Sequence, residues 1–268
     1  VRVTFSQSSE VFAGAVGGPL VVGVLTPQRN AMTLAAKNTE ASLFGLYRQV
    51  FSSGFLRGFQ GGSRPVLAAM PQFAAIGPAY LAVERRTGSP LAALSTAALA
   101  ESLFTFGAQR RNAVIQYNAT RAPAERLPIL PATQVAGPGF VFHIARNFTA
   151  MMGIRLFSPR SHEAVRGLPG ASRLSEEQTL VASDFASSVA AATLSMPFNH
   201  IFSWSACTPE LQSMSYGQRV RASCGWLFRN YQQQGAGLLA RDLAVRINYT
   251  AFLFTSYRFV ERRFVSSD

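Results

Sequence analysis

Three stretches of this chain repeat one pattern, and the repetition limits the folds open to it more than any single residue does. Each has an apolar run with Pro or Gly near its end, then a polar segment, then a second apolar run. The first runs through Gly14-Ala-Val-Gly-Gly18 and Leu25-Thr-Pro27, then Gly54 to Gly61, then Ala69-Met-Pro71 to Tyr80. The third runs through Ala190-Ala-Ala192 and Met196-Pro197, then Gly235 to Asp242, then Arg246 to Tyr257. The middle one is the most eroded, with Phe106-Gly107, Gly137-Pro-Gly139 and Arg146 to Phe157 as its landmarks. The break points Pro27, Gly107 and Pro197 are 80 and 90 residues apart. The spacing predicts six helices in three pairs, over about residues 8–88, 89–165 and 180–266, with helix breaks near those three residues.

Charge is scarce where the pattern is apolar. Only 14% of the 268 residues are charged, against about 25% in soluble domains. Pro65 to Val83 is charge-free over 19 residues, which as a helix spans about 28 Å, close to a bilayer's hydrocarbon core. Phe185 to Pro209 is also charge-free. Val11 to Gln28, Thr87 to Ala100, Gln134 to Phe157 and Ile247 to Tyr257 are shorter or interrupted. All but Ile247 to Tyr257 carry many Ala, Gly or Ser residues, which suits helices that pack closely on one another in lipid. A soluble protein with buried helices is the rival reading, and one short apolar tract fits either.

The formal net charge of +12 is almost all arginine, with Lys37 the only lysine. Pairs such as Arg85-Arg86, Arg110-Arg111 and Arg262-Arg263 flank the apolar tracts, where basic residues meet anionic headgroups. No aromatic-basic motif or basic helix stripe marks a nucleic-acid surface. Cys207 and Cys224 give neither a disulfide framework nor a metal spacing, and His143, His162 and His200 are isolated. No nucleophile elbow, phosphate loop or carboxylate pair is present, so neither an enzyme nor a cofactor or metal site is expected. The chain opens at Val1 without methionine, as removal of a residue or a presequence would leave it.

These motifs together resemble the mitochondrial carrier family over nearly the whole length. Gly54-x-x-x-x-Phe59-x-Gly61 matches that family's matrix-segment motif. Phe228 to Leu239 is similar to its third matrix helix, while Leu127-Pro-Ile-Leu-Pro131 replaces most of the second. The resemblance implies an all-α, multi-pass bundle of the mitochondrial inner membrane, with six transmembrane helices in three two-helix repeats and short matrix helices. It also implies two rings of ion pairs that alternately close the two ends around a midplane site.

Both rings are degenerate. At the matrix end the acid and base positions counted from Pro27 are Arg29 and Met32. From Gly107 they are Gln109 and Asn112, and from Pro197 they are Asn199 and Phe202. No acid remains, and Gln109, Asn112 and Asn199 are left with neutral hydrogen bonds. At the cytoplasmic end the positions are Tyr80, Leu81 and Glu84, then Phe157 and Ser158, then Tyr257, Arg258 and Glu261. Arg258 and Glu261 are one helical turn apart, which suits a local pair. The family's midplane contacts fall near Ala68, Ala69, Arg146 and Arg246. A membrane-embedded arginine usually faces a cavity or a partner, so Arg146 and Arg246 are the candidate substrate contacts. The bland alternative is a pair with a nearby acid such as Asp242, or a side chain reaching the interface.

Two functions follow from the resemblance. In the favoured one, the lost gates make the chain a non-transporting accessory subunit of a large inner-membrane complex, a respiratory complex or ATP synthase. Its partners are then anionic lipids such as cardiolipin and neighbouring subunits, met through Ala119 to Pro138 or Cys207 to Cys224. In the other, it is a divergent carrier exchanging a small anionic metabolite.

Overall fold

The computed structural model describes residues 7–265, with the side chains of 7–13, 154, 261 and 263–265 excepted. The described residues are mostly helical, with no strand among them. The α-helices are α1 (Gln7–Val24), α2 (Thr26–Ala35), α3 (Leu43–Val50), α4 (Ser63–Thr87), α5 (Pro90–Ala119), α6 (Phe140–Met152), α7 (Ser158–Arg166), α8 (Glu176–Ala206) and α9 (Tyr216–Val265). They pack in sequence around a closed ring: α1 on α4, α4 on α5, α5 on α6, α6 on α8, α8 on α9, and α9 back on α1.

Local chemistry fixes the helix ends. The Ser89 hydroxyl accepts from the Ala92 amide and Pro90 opens α5, while Gly88 ends α4 in the left-handed conformation. Two residues therefore turn the chain from α4 into α5 and place them as antiparallel neighbours. Ser175 and Gln178 form a capping box at the start of α8, with Glu176 and Glu177 in its first turn, where carboxylates suit the helix dipole. The 3-10 turn Phe55–Phe59 lies between Gly54 and Gly61, both at positive φ.

Helix continuity differs from the sequence expectation. Only the Pro27 break is present, as a change of direction at Leu25 between α1 and α2. Helix α5 passes through Gly107 unbroken, and α8 passes through Pro197. The Gly107 side matters for another reason: a Cβ there would lie 2.3 Å from the Ala132 carbonyl oxygen and 2.7 Å from the Gln134 amide nitrogen. The missing side chain lets the extended segment after α5 lie directly on that helix. Pro71 and Pro78 likewise sit inside α4. The third polar segment begins at Tyr216, well before Phe228, and runs helically to Gly235, whose φ of 73° bends α9. Between Ala119 and Phe140 there is no α-helix, in keeping with the prolines there.

Polar side chains are buried and apolar ones exposed along several of the long helices. On α5, Ser102, Thr105, Arg110, Asn112 and Gln116 are buried, whereas Leu91, Leu99, Leu103 and Phe104 are exposed. Leu67 and Met70 on α4 and Phe185 and Leu194 on α8 also face outward. Exposed apolar surface on this scale is rare on soluble monomers. Ala93, Ala97 and Ala98 are fully buried at the contact with α4, where small residues admit close backbone approach.

Among the described residues three helices are long and apolar enough to cross a membrane: α4, α5 and α8, with mean hydropathies of 1.5, 1.4 and 1.2. The other apolar tracts fall short for physical reasons. The described apolar part of α1 is only Gly14–Val24. Helix α6 has 13 residues before a π-helical segment, Gly153–Phe157. Helix α9 carries Arg241, Asp242, Arg246 and Arg258 along its second half.

Candidate functional site

The ring of helices encloses a cavity of about 80 Å³, several times the roughly 10–15 Å³ that one water needs. Its lining on α9 runs from Arg246 to Tyr257, about 16 Å along a helix axis. The cavity is therefore elongated along the bundle. Apolar and aromatic side chains, Phe73, Leu94, Tyr249 and Phe254 among them, make up much of the wall. Against them stand three buried guanidiniums, Arg29, Arg146 and Arg246, on three different helices.

The arginines are held by neutral groups. Arg146 donates from Nη1 to Gln109 Oε1 (2.9 Å) and Asn199 Oδ1 (3.3 Å), and from Nε and Nη2 to Asn147 Oδ1 (3.0 and 2.8 Å). Its guanidinium lies 5.1 Å from the centre of the Phe202 ring. Asn147 in turn donates to Ser102 Oγ at 3.0 Å. Arg246 donates from Nε and Nη2 to Ser195 Oγ (3.1 and 2.9 Å) and from Nη1 to Met32 Sδ (3.4 Å). Arg29 is 4% exposed, and its Nε and Nη2 have no hydrogen-bond partner among the described residues. None of the three forms an ion pair there. Asp242, the acid nearest in sequence to Arg246, instead accepts from Arg241 and from the Tyr231 hydroxyl, and lies 3.3 Å from His200 Nε2. The one carboxylate on the described cavity wall is Glu101 of α5, which accepts from Gln72 Nε2 of α4 at 2.6 Å.

Four of the positions read from the sequence as a degenerate matrix gate lie around one polar region. Arg29 lines the cavity, Gln109 and Asn199 converge on Arg146, and Met32 touches Arg246. Asn112 faces away from this group and donates to Asn30 Oδ1 at 3.2 Å. Asn30 spans to the turn after α3, donating to the Gly58 and Gln60 carbonyls (2.8 and 3.1 Å). Pro27 is buried in α2, Gly107 meets the Ala132–Gln134 strand of chain, and Pro197 lies within α8.

At the other end, the Tyr80 hydroxyl donates to Glu84 Oε1 at 3.0 Å, and Arg155 of the π-helical segment lies 5.2 Å from the Tyr80 ring centre. Leu81 packs on the apolar cluster around Tyr80, and Tyr257 stacks obliquely on Phe73 at 4.7 Å. Phe157 ends the π-helical segment. Ser158 and Arg258 meet at a residue the sequence reading did not select, Asp184 of α8. Ser158 Oγ donates to Asp184 Oδ1 at 2.9 Å, Arg258 Nε lies 3.9 Å from the same oxygen, and Arg262 pairs with Oδ2. The expected partner of Arg258 was Glu261, whose side chain lies outside the described residues.

A second buried network fastens the segment after α2 to the start of the second half of α9 and to Thr208. Arg241 donates to the carbonyls of Ala35, Asn38, Thr39 and Ala41 at 2.7–3.1 Å, so it closes the C-terminal end of α2. Lys37 donates to Thr208 Oγ1 at 2.9 Å between the rings of Tyr117 and Trp204, and burial lowers its pKa. Burial pushes the Cys207 thiol up to about 12. Among the described residues no cluster of His, Cys, Asp and Glu has the makeup of a metal site.

Arg146 and Arg246, selected by the resemblance and by their place inside apolar tracts, both line the cavity. The resemblance placed the α4 contact at Ala68 or Ala69. The cavity side chain there is Gln72, one helical turn on. Glu101 left no local signal, since its partner lies on another helix. No family model matches this chain, and no curated protein matches it.

Proposed function

We propose that this chain is a divergent member of the mitochondrial carrier family, with six membrane-crossing helices in three repeats, and that its central cavity receives a small anion. The observation that carries the reading is the cluster of Arg29, Arg146 and Arg246 on the cavity wall, none of them ion-paired among the described residues. A guanidinium in a low-dielectric core is costly unless something compensates its charge. Three such groups facing one chamber are compensated most simply by a bound anion, and Arg forks suit carboxylate or phosphate oxygens. The aromatic and aliphatic wall would meet the rest of the solute.

The test is binding to the purified full-length protein in detergent, followed by uptake into liposomes. Small carboxylates and phosphate should raise the unfolding temperature. Arg146→Ala and Arg246→Ala should each weaken binding at least tenfold, since a charge-assisted hydrogen bond is worth about 1.5–3 kcal/mol. Absence of any anion-dependent shift in the wild-type protein would remove the reading.

A specific observation favours a second reading, in which the chain is a non-transporting accessory subunit of an inner-membrane assembly such as a respiratory complex or ATP synthase. The matrix-gate positions contain no acid, and Gln109 and Asn199 are joined through Arg146 on a third helix, so that end lacks the reversible ion-pair ring. Anion binding without saturable uptake, together with migration in a large complex on native gels, would select this reading over exchange.

A further inference from the structure

We infer that Glu101 is the residue that sets the charge of the anion the cavity accepts, and that the accepted solute is a small dianion with its charge on oxygen. The inference rests on the reading of the cavity as an anion site and goes beyond it. Arg29, Arg146 and Arg246 bring three positive charges to the deep part of the wall, and Glu101 is the one carboxylate among its described residues. The difference is two positive charges. Arg155 also lines the chamber, but it is half-exposed toward the far end over Tyr80, whose hydroxyl donates to Glu84. It stands nine residues beyond Arg146, about 13 Å along a helix axis, at the Tyr80 end of the wall and away from the three buried guanidiniums.

Glu101 is placed for this role. Its carboxylate is fixed by Gln72 Nε2 at 2.6 Å. Gln72 is itself buried and also lines the cavity, so the pair spans from α4 to α5 across the wall. Neither Arg146 nor Arg246 is ion-paired to Glu101. Their donors go to Gln109, Asn147, Asn199, Ser195 and Met32. A resident anion held by a neutral amide, instead of clamped by the cations, leaves their charge to an incoming solute, which exchanges only with neutral partners. It subtracts one charge from whatever the site can hold.

The experiment uses three probes of similar carbon skeleton: butyrate, succinate and tricarballylate, which carry one, two and three negative charges at slightly alkaline pH. Apparent affinity is read from the concentration dependence of the unfolding temperature of the full-length protein in detergent. Wild type should prefer succinate. Glu101→Gln removes one negative charge and should move the preference toward tricarballylate, changing the ratio of the two affinities by at least about tenfold, as one unit charge at close range does in a partly buried site. Glu101→Asp should keep the wild-type ranking. Gln72→Glu adds a charge at the same place and should move the ranking the other way, toward butyrate, which gives a readout even where Glu101→Gln fails to fold. An unchanged ranking in Glu101→Gln or in Gln72→Glu overturns the inference while leaving the anion site in place. Failure of all three probes to bind wild type overturns the underlying reading instead.

Discussion

At the scale of single residues, Arg29 separates stability from binding. Its Nε and Nη2 have no protein hydrogen-bond partner among the described residues, and a buried donor left without a partner costs about 1–3 kcal/mol. Replacing it by methionine, of similar length and apolar, should raise the unfolding temperature of the unliganded protein by several degrees and abolish the anion-dependent increase. Thermal unfolding with and without ligand measures both. A variant that is less stable without ligand would mean that Arg29 has a structural partner. Arg29 was legible in the sequence only as a degenerate gate position. Nothing local in Thr26-Pro27-Gln28-Arg29 says that the side chain turns into the cavity. Arg146 and Arg246 were legible as buried cations, but their partners Gln109, Asn199 and Ser195 lie 37 to 53 residues away. Those contacts follow from how the helices meet, which no window of sequence contains.

At the scale of elements, Gly107 shows why helix breaks were misplaced. A glycine in an apolar run reads as a stop, yet α5 continues through it because both of its neighbouring turns are helical and its missing Cβ serves a contact with another segment. Gly107→Ala should gain about 1 kcal/mol of helix propensity and lose more. The new Cβ would meet backbone atoms at 2.3–2.7 Å, and overpacking of that kind costs about 1–3 kcal/mol. Net destabilisation in denaturation of the detergent-solubilised protein is the expected outcome, and net stabilisation would show that the Ala132–Gln134 segment yields easily. The Pro27 bend and the absence of a helix around Leu127 to Pro131 were legible, because proline chemistry acts locally. The latch at Asp184 was not. Its acid lies in an unremarkable Ser- and Ala-rich run of α8, and its partners Ser158 and Arg258 come from α7 and α9.

At the scale of the whole molecule, outward Leu and Phe with inward Asn, Gln and Arg suit a lipid surrounding, as do the three helices long and apolar enough to cross a membrane among the described residues. An alkaline carbonate wash of membranes containing it should leave the chain in the pellet, and its release into the supernatant would contradict that. The three-part pattern made an all-helical bundle legible from composition and spacing. It did not reveal that α2 is tied to α9 by Arg241, which holds the carbonyls of residues 35, 38, 39 and 41 from 200 or more positions downstream. That tie has a consequence in time. At synthesis rates of about 5–20 residues per second, roughly 10–40 s separate the appearance of α2 from that of the arginine that closes its end. Throughout that interval Arg29 and the polar side of α2 have neither their ring nor their wall. The nascent chain is an open arc with cations on its inner face, and it becomes a closed barrel of helices only when its last element arrives.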